Sequence, residues 1–345
     1  MRRMRVTYPV MVAVLGAALA VTLGPLPGAA AAAHVSAQSQ VQPQVVASSA
    51  RHFGAWAEPL NGVTKQQALT TLQGRLGTTL PLVTDYLYWD DPFPSAFNSY
   101  VASQGQVLLL FVKLKLHNGS RPKWADLANA KPGSKLYADM DRWATGLKAY
   151  GKPMYLVFHK EPNEPANAVQ GTYTTYKAAY RAFVTHMRAK GVTNVRFVWA
   201  LPATIFATTP TATNWYPGDD VVDVIAATGA NHYGCLPGIS PHWRTFASIF
   251  GSLRFWAATY HPTRRTGVVE FETVENPAQP TAKGQWIADG HTTTTTASWA
   301  AQMEVLSYFN STATDGGGVC DWQLTTSSSA LAAAAAWARD PAFGG

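Results

Sequence analysis

Residues 152–164 read KPMYLVFHKEPNE. An uninterrupted apolar run with β-forming side chains, Met154 to Phe158, stops at a crowd of polar and ionisable groups: His159, Lys160, Glu161, Asn163 and Glu164. Pro162 has no N–H to give to a ladder, so the strand cannot continue past it. In a barrel of parallel strands alternating with helices, catalytic side chains project from the C-terminal ends of the strands. The fold therefore turns on whether the flanking sequence supplies seven more such strands.

Before this stretch, 53–58 (FGAWAE), 80–89 (LPLVTDYLYW) and 106–116 (QVLLLFVKLKL) read as strands, the last almost continuously apolar, as a strand buried on both faces should be. Helices separate them. Thr64 and Gln67 form a capping box ahead of Ala68, Leu69, Leu72 and Leu76 at helical spacing, and Gly77 ends the run. Met140, Trp143, Ala144 and Leu147 mark a second amphipathic helix closed by Gly151, and Tyr176 to Met187 a third ending at Gly191. Downstream, 194–203, 222–234 and 266–273 read as strands five to seven and 316–324 (GGGVCDWQL) as strand eight. Segments at 242–260 and 297–309 read as the separating helical or aromatic-rich pieces, Thr292–Thr296 as a surface loop, and Leu331–Arg339 as the closing helix. The expectation is a single-domain α/β fold, a (β/α)8 TIM barrel over 52–345. No glycine-rich phosphate fingerprint follows the first strand, which argues against a dinucleotide-binding sheet.

The first 33 residues have the layout of a secretory signal peptide: Arg2, Arg3 and Arg5, an apolar run from Val6 to Leu26, then small residues, with cleavage expected near Ala33. Residues 34–51 are polar and aperiodic and read as a flexible leader. Export makes the expected location extracellular, with no stable membrane insertion after cleavage. Three of the seven net positive charges lie in the signal, leaving about +4 for the mature chain. No basic cluster interleaves with aromatics, so no nucleic-acid partner is expected. Export also permits disulfides, and the two cysteines, Cys235 and Cys320, are the candidate pair. The nine histidines show no metal-ligand spacing, so no metal and no other cofactor is expected, and the chain is read as a monomer.

Acidic residues end several strands: Asp85, Asp90 and Asp91 in strand two, Glu161 and Glu164 in strand four, Glu270, Glu272 and Glu275 in strand seven, and Asp321 in strand eight. Two carboxyl groups facing each other across a barrel mouth are what glycoside cleavage requires, one to protonate the leaving oxygen and one to attack the anomeric carbon. Aromatic residues add to this. Trp56, Tyr88, Trp89, Trp199, Trp215, Tyr216, Tyr233 and Trp322 fall at or just past strand ends, where flat rings stack on sugars. Trp143, Trp256, Trp299 and Trp337 read instead as core.

Taken together, FHKEPNE at 158–164, WYPGDDVVDVIAATGANHYG at 215–234, VVEFETVENP at 268–277 and CDWQL at 320–324 resemble glycoside hydrolase family 26, secreted β-mannanase-like barrels of clan A, in order and spacing. The resemblance covers nearly all of 52–345 and implies a retaining hydrolase of β-linked polysaccharide or oligosaccharide, endo-β-mannanase-like. Xylanase, mixed-linkage β-glucanase or an inactive carbohydrate-binding barrel are the alternatives. It implies Glu161 as acid/base, Glu270 as nucleophile and Tyr233 as the hydrogen-bond partner of Glu270, with Glu164 as the reserve acid. His159, Trp89, Trp199, Asn231 and Trp322 join Tyr233 as expected substrate contacts, His159 being readable equally as a core histidine. Three positions depart from the family's pattern. Lys160 stands where histidine usually precedes the acid/base, Glu272 where glycine is common, and Asn231 where aspartate often stands.

Overall fold

The computed structural model describes residues 50–345 except 299, 316 and 317. The expected signal segment, nearly all of the leader and Trp299 lie outside the described residues. Eight parallel strands close a barrel in sequence order: β1 His52–Ala57, β2 Leu82–Tyr88, β3 Val107–Lys113, β4 Met154–Phe158, β5 Val195–Pro202, β6 Val224–Asn231, β7 Arg265–Thr273 and β8 Met303–Asn310. The expected (β/α)8 barrel is present, and β8 pairs back onto β1 from His52–Val305 to Ala57–Asn310.

Strand alternation divides the core into two layers. Leu109, Phe111, Tyr155, Val157, Val198, Ala200, Val224 and Ala226 fill the barrel interior. Their neighbours Leu108, Leu110, Met154, Leu156, Phe158, Phe197, Trp199 and Leu201 face outward onto the helices. The helices begin and end as the sequence predicts in most places. Thr64 caps Lys65–Leu76 in a capping box with Gln67, and Gly77 closes it in the left-handed region at φ 63°.

Two expected elements are corrected. The eighth barrel strand is Met303–Asn310, not 316–324; residues 318–321 instead form β10 of a small antiparallel hairpin with β9, Thr312–Asp315. Val305, Tyr308 and Phe309 sit at i, i+3 and i+4, a helical spacing that a fully enclosed strand mimics because it needs no alternation. Thr292–Thr296 is not a loop but the last turns of helix Ala282–Thr296. Threonine is a poor helix former. Here the hydroxyls of Thr294, Thr295 and Thr296 donate to the carbonyls of Gly290, His291 and Thr292 at 2.8–2.9 Å, a back-bonding that threonine makes inside a helix.

Candidate active site

At its C-terminal end β4 leaves its ladder through two left-handed residues, His159 at φ 49° and Glu161 at φ 52°. Such values are rare for residues other than glycine and persist only where the surroundings hold them. Here the backbone stays tied to both neighbouring strands: His159 N–H donates to Val112 O at 2.8 Å and Glu161 N–H to Ala200 O at 3.1 Å. Asn167 adds a third tether, its amide donating to Glu161 O at 2.9 Å. The first kink breaks the alternation. His159 turns outward, 1% exposed, against the edge of Trp124, and its Nδ1 accepts the Leu114 N–H at 3.1 Å. Burial pushes its pKa down to about 3, so the ring is neutral. The core reading of His159 is therefore the correct one, and it is not a substrate contact.

Lys160 turns the other way, over the barrel mouth, with its ammonium 5.8 Å from the ring centres of both Tyr86 and Phe111. It hydrogen-bonds Glu270 Oε2 and lies 3.7 Å from Glu161 Oε2. Burial alone would lower its pKa, but the flanking carboxylates Glu270 and Glu161 raise it above the ordinary lysine range. The other oxygen of Glu270 accepts from the Tyr86 hydroxyl, and Glu161 Oε1 accepts from the Thr228 hydroxyl. The expected partner of Glu270, Tyr233, is thus replaced by Tyr86 and Lys160.

Glu270 reaches the mouth through an irregularity in β7. Val268 faces the helices and Val269 the barrel interior, and pairing shifts register between Ala227 and Thr228 on one side and between Val268 and Phe271 on the other. A bulge of this kind re-aims a side chain, and Glu270 follows Val269 inward. Burial pushes the pKa of Glu270 up while Lys160 holds it down. Burial and then Glu270 push the pKa of Glu272, the next residue on that face, well above its ordinary value, which favours its protonated form.

The cleft has two lobes that share Lys160, Glu270 and Phe309. One, about 390 Å³, is walled by Trp56, Tyr86, Tyr88 and Phe111 from β1 to β3. The other, about 500 Å³, contains Glu161, Glu164, Thr228, Glu272, Tyr233 and Trp322. Of the expected site residues, the fold brings together Glu161, Glu270, Glu164, Tyr233 and Trp322. Cys235 and Cys320 form a disulfide, which joins the loop after β6, carrying Tyr233, to the hairpin that precedes Trp322.

Three expected contacts lie elsewhere. Trp89 and Trp199 are fully buried on the helix side: Trp89 against Trp143 and Phe183 with its indole donating to Asp139 at 3.1 Å, Trp199 against Phe206 and Tyr216. Asn231 is also buried, donating to Thr273 Oγ1 and accepting from Arg244 N–H, both at 3.0 Å. Tyr216 and Trp215 likewise pack under helices. Among the acidic candidates, Asp85 is buried in an ion pair with Lys65 at 2.5 Å. Tyr86 and Thr228 were missed. Both sit at inward-facing positions of their strands, in step with Leu82 and Thr84 and with Val224 and Ala226, a signal that strand parity carries in the sequence itself.

The profile of glycosyl hydrolase family 26 matches residues 166–264, which include β5, β6, Thr228 and Tyr233. The chain is 25% identical over 290 residues to Endoglucanase H of Acetivibrio thermocellus, an alignment covering 81% of this chain and 29% of that protein. The chain thus spans under a third of that relative's length. Among solved structures, the barrel superposes on a modular endo-β-1,4-mannanase from Cellulomonas fimi with a TM-score of 0.60 at 18% identity, covering 85% of this chain and 71% of that one. The catalytic domain of the family 26 endo-β-1,4-mannanase of Bacillus sp. JAMB-750 gives 0.59 at 14% identity, covering 85% and 86%. The barrel thus shares its fold with solved family 26 mannanases, and residues 166–264 match the glycosyl hydrolase family 26 profile.

Proposed function

We propose that the protein is an exported, retaining glycoside hydrolase that cleaves internal bonds of a β-mannan-like polysaccharide by double displacement. One observation carries this reading: a single ammonium, that of Lys160, touches both Glu270 and Glu161. Two carboxylates bridged in this way have their nearest oxygens within about 6 Å, which suits a retaining pair with its ~5.5 Å spacing better than a wider inverting pair. Glu270 attacks the anomeric carbon as the glycosidic C–O bond breaks, and Glu161 gives its proton to the departing oxygen. In the second half Glu161 takes a proton from water, whose oxygen displaces Glu270. Lys160 accompanies the negative charge, which rests on Glu270 at the start and on Glu161 once the glycosyl ester has formed. Glu164, exposed on the same lobe, is the reserve acid.

Export is supported by the signal-like first 33 residues and by the Cys235–Cys320 bridge, a bond typical of oxidising compartments. The substrate class rests on the relatives named above.

The test is reducing-end release from mannan, xylan and mixed-linkage β-glucan. Mannan should be cleaved with retention of anomeric configuration, and Glu161→Gln and Glu270→Gln should each lower the rate by about 10³-fold or more. Binding of mannan with no release by the unaltered chain would leave a carbohydrate-binding barrel. Unchanged release by Glu161→Gln would move the acid role to Glu164.

A further inference from the structure

The two lobes differ in charge, and double displacement makes no use of the difference. Four carboxyl groups, Glu161, Glu164, Glu270 and Glu272, line the larger lobe. The aromatic lobe has Lys113 and Glu58 on its wall beside the shared Lys160 and Glu270. Lys113 ends β3 on the same face as Leu109 and Phe111, so strand alternation aims it at the barrel mouth. Burial first, then the cations Arg121, Lys160 and Lys115, lower its pKa, while Glu161 acts in the opposite direction.

Glu58 and Glu270 share the lobe's wall with Lys113, but they do not pair with it. Among the described residues, no ion pair includes Lys113, Lys115 or Arg121. Lys115 places its ammonium 5.4 Å from the Tyr88 ring centre, and Arg121 donates to the neutral amide of Asn167 at 2.9 Å. The carboxylates that do stand nearby are engaged elsewhere. Glu58 accepts from the Ser311 hydroxyl and the Thr312 N–H, Asp90 from the His117 N–H, and Asp91 meets the His117 ring at 2.7 Å. A neutral sugar needs hydrogen-bond donors and acceptors in mixture. Cations clustered without partners repel one another, and only an anionic occupant turns that repulsion into attraction.

We propose that the aromatic lobe binds an anionic sugar unit of the polysaccharide, its acid group facing Lys113 and Lys115 while Trp56 and Tyr88 cover its ring. The shared chemistry is a carboxylate or sulfate on the sugar. This rests on the glycosidase reading and narrows its substrate to an acid-substituted glycan.

The experiment measures binding by titration calorimetry on Glu161→Gln protein, so that no turnover intervenes. The ligands are a β-mannan oligosaccharide bearing a uronate branch, the same compound with its carboxyl reduced to an alcohol, and a sulfate ester of the same backbone. At low salt, at least one anionic ligand should bind about tenfold or more tighter than the reduced one, and the advantage should shrink as salt is raised. Adding Lys113→Gln and Lys115→Gln should bring the ratio to within about twofold while the reduced ligand still binds, which separates loss of the anion contact from misfolding. A uronate advantage identifies a carboxylate as the natural group, and a sulfate advantage alone identifies a sulfate ester. Equal binding of all three ligands, or an advantage untouched by the double substitution, overturns the proposal. Hydrolysis of neutral mannan by the unaltered chain, followed separately, reports on the glycosidase reading and leaves the anion result independent of it.

Discussion

The ammonium of Lys160 hydrogen-bonds Glu270 and stands 3.7 Å from Glu161, so one positive charge is shared by both carboxylates of the pair. Burial disfavours the ionised form of Glu270, and Lys160 favours it.

Replacing Lys160 by Met should therefore raise the pKa of Glu270. In the proposed mechanism Glu270 attacks in its ionised form, so the acid limb of kcat/KM against pH should move to higher pH, and the plateau should fall by about 10- to 100-fold. Lys160→Arg, which keeps the charge, should hold the acid limb near its original place. An unshifted limb in Lys160→Met would mean that Lys160 does not set the ionisation of Glu270.

Tyr86→Phe removes a hydroxyl that donates to Glu270 and leaves the ring, which stacks on Phe111 with centres 4.7 Å apart. A hydrogen bond to a charged acceptor contributes about 1.5–3 kcal/mol, so kcat/KM should drop by about 10- to 150-fold. The unfolding midpoint should change little. A large stability loss with unchanged kinetics would assign Tyr86 to the core alone.

Burial and Glu270 raise the pKa of Glu272 in the fold above its unfolded value. Its contribution to stability is fully present below the unfolded value near 4.5 and is lost as pH rises through the folded value. Glu272→Gln, which imitates the protonated form, should be neutral at pH 4 and stabilising by about 1 kcal/mol at pH 8. Denaturant titrations at the two pH values check this, and a gain of the same size at both would contradict it.

At the opposite end of the barrel Glu304 is fully buried between Arg196 and Arg265, with guanidinium contacts at 2.8 and 3.2 Å. Glu304→Ala removes the buried carboxylate that the two guanidinium groups share and should cost about 3–5 kcal/mol in urea unfolding. Activity of the folded fraction should be unaltered, since the strand ends that carry chemistry are the other ones. A kinetic defect in fully folded protein would show coupling through the barrel interior.

The barrel and its carboxylate pair were legible in the sequence because both depend on local patterns: β-type runs between capped helices, and acidic residues where those runs end. Seven strands fall within about three residues of their expected limits. The eighth was misread since Met303–Asn310 is enclosed on both faces, Glu304 and Ser307 included, and so shows no alternation. The site contacts failed for a related reason. Asn231 ends β6, Trp89 follows β2 and Trp199 lies within β5; strand parity sends all three to the helix side, and nearness to a strand end says nothing of which face. His159 has the right parity and the wrong direction, because a positive φ that no residue type announces turns it over. Tyr86 donates to Glu270 from 184 residues away, a relation that only closure of the barrel creates.

The disulfide bears on how the protein has to be made. Cys235 and Cys320 are 85 residues apart, with β7 and β8 between them, and the loops they join carry Tyr233 and Trp322 into the cleft. A ribosome has finished nearly the whole barrel before the second sulfur emerges, so this wall of the cleft is fastened last. Protein produced in a reducing cytosol would reach the barrel without the fastening, and its yield of soluble chain would overstate its yield of finished binding sites.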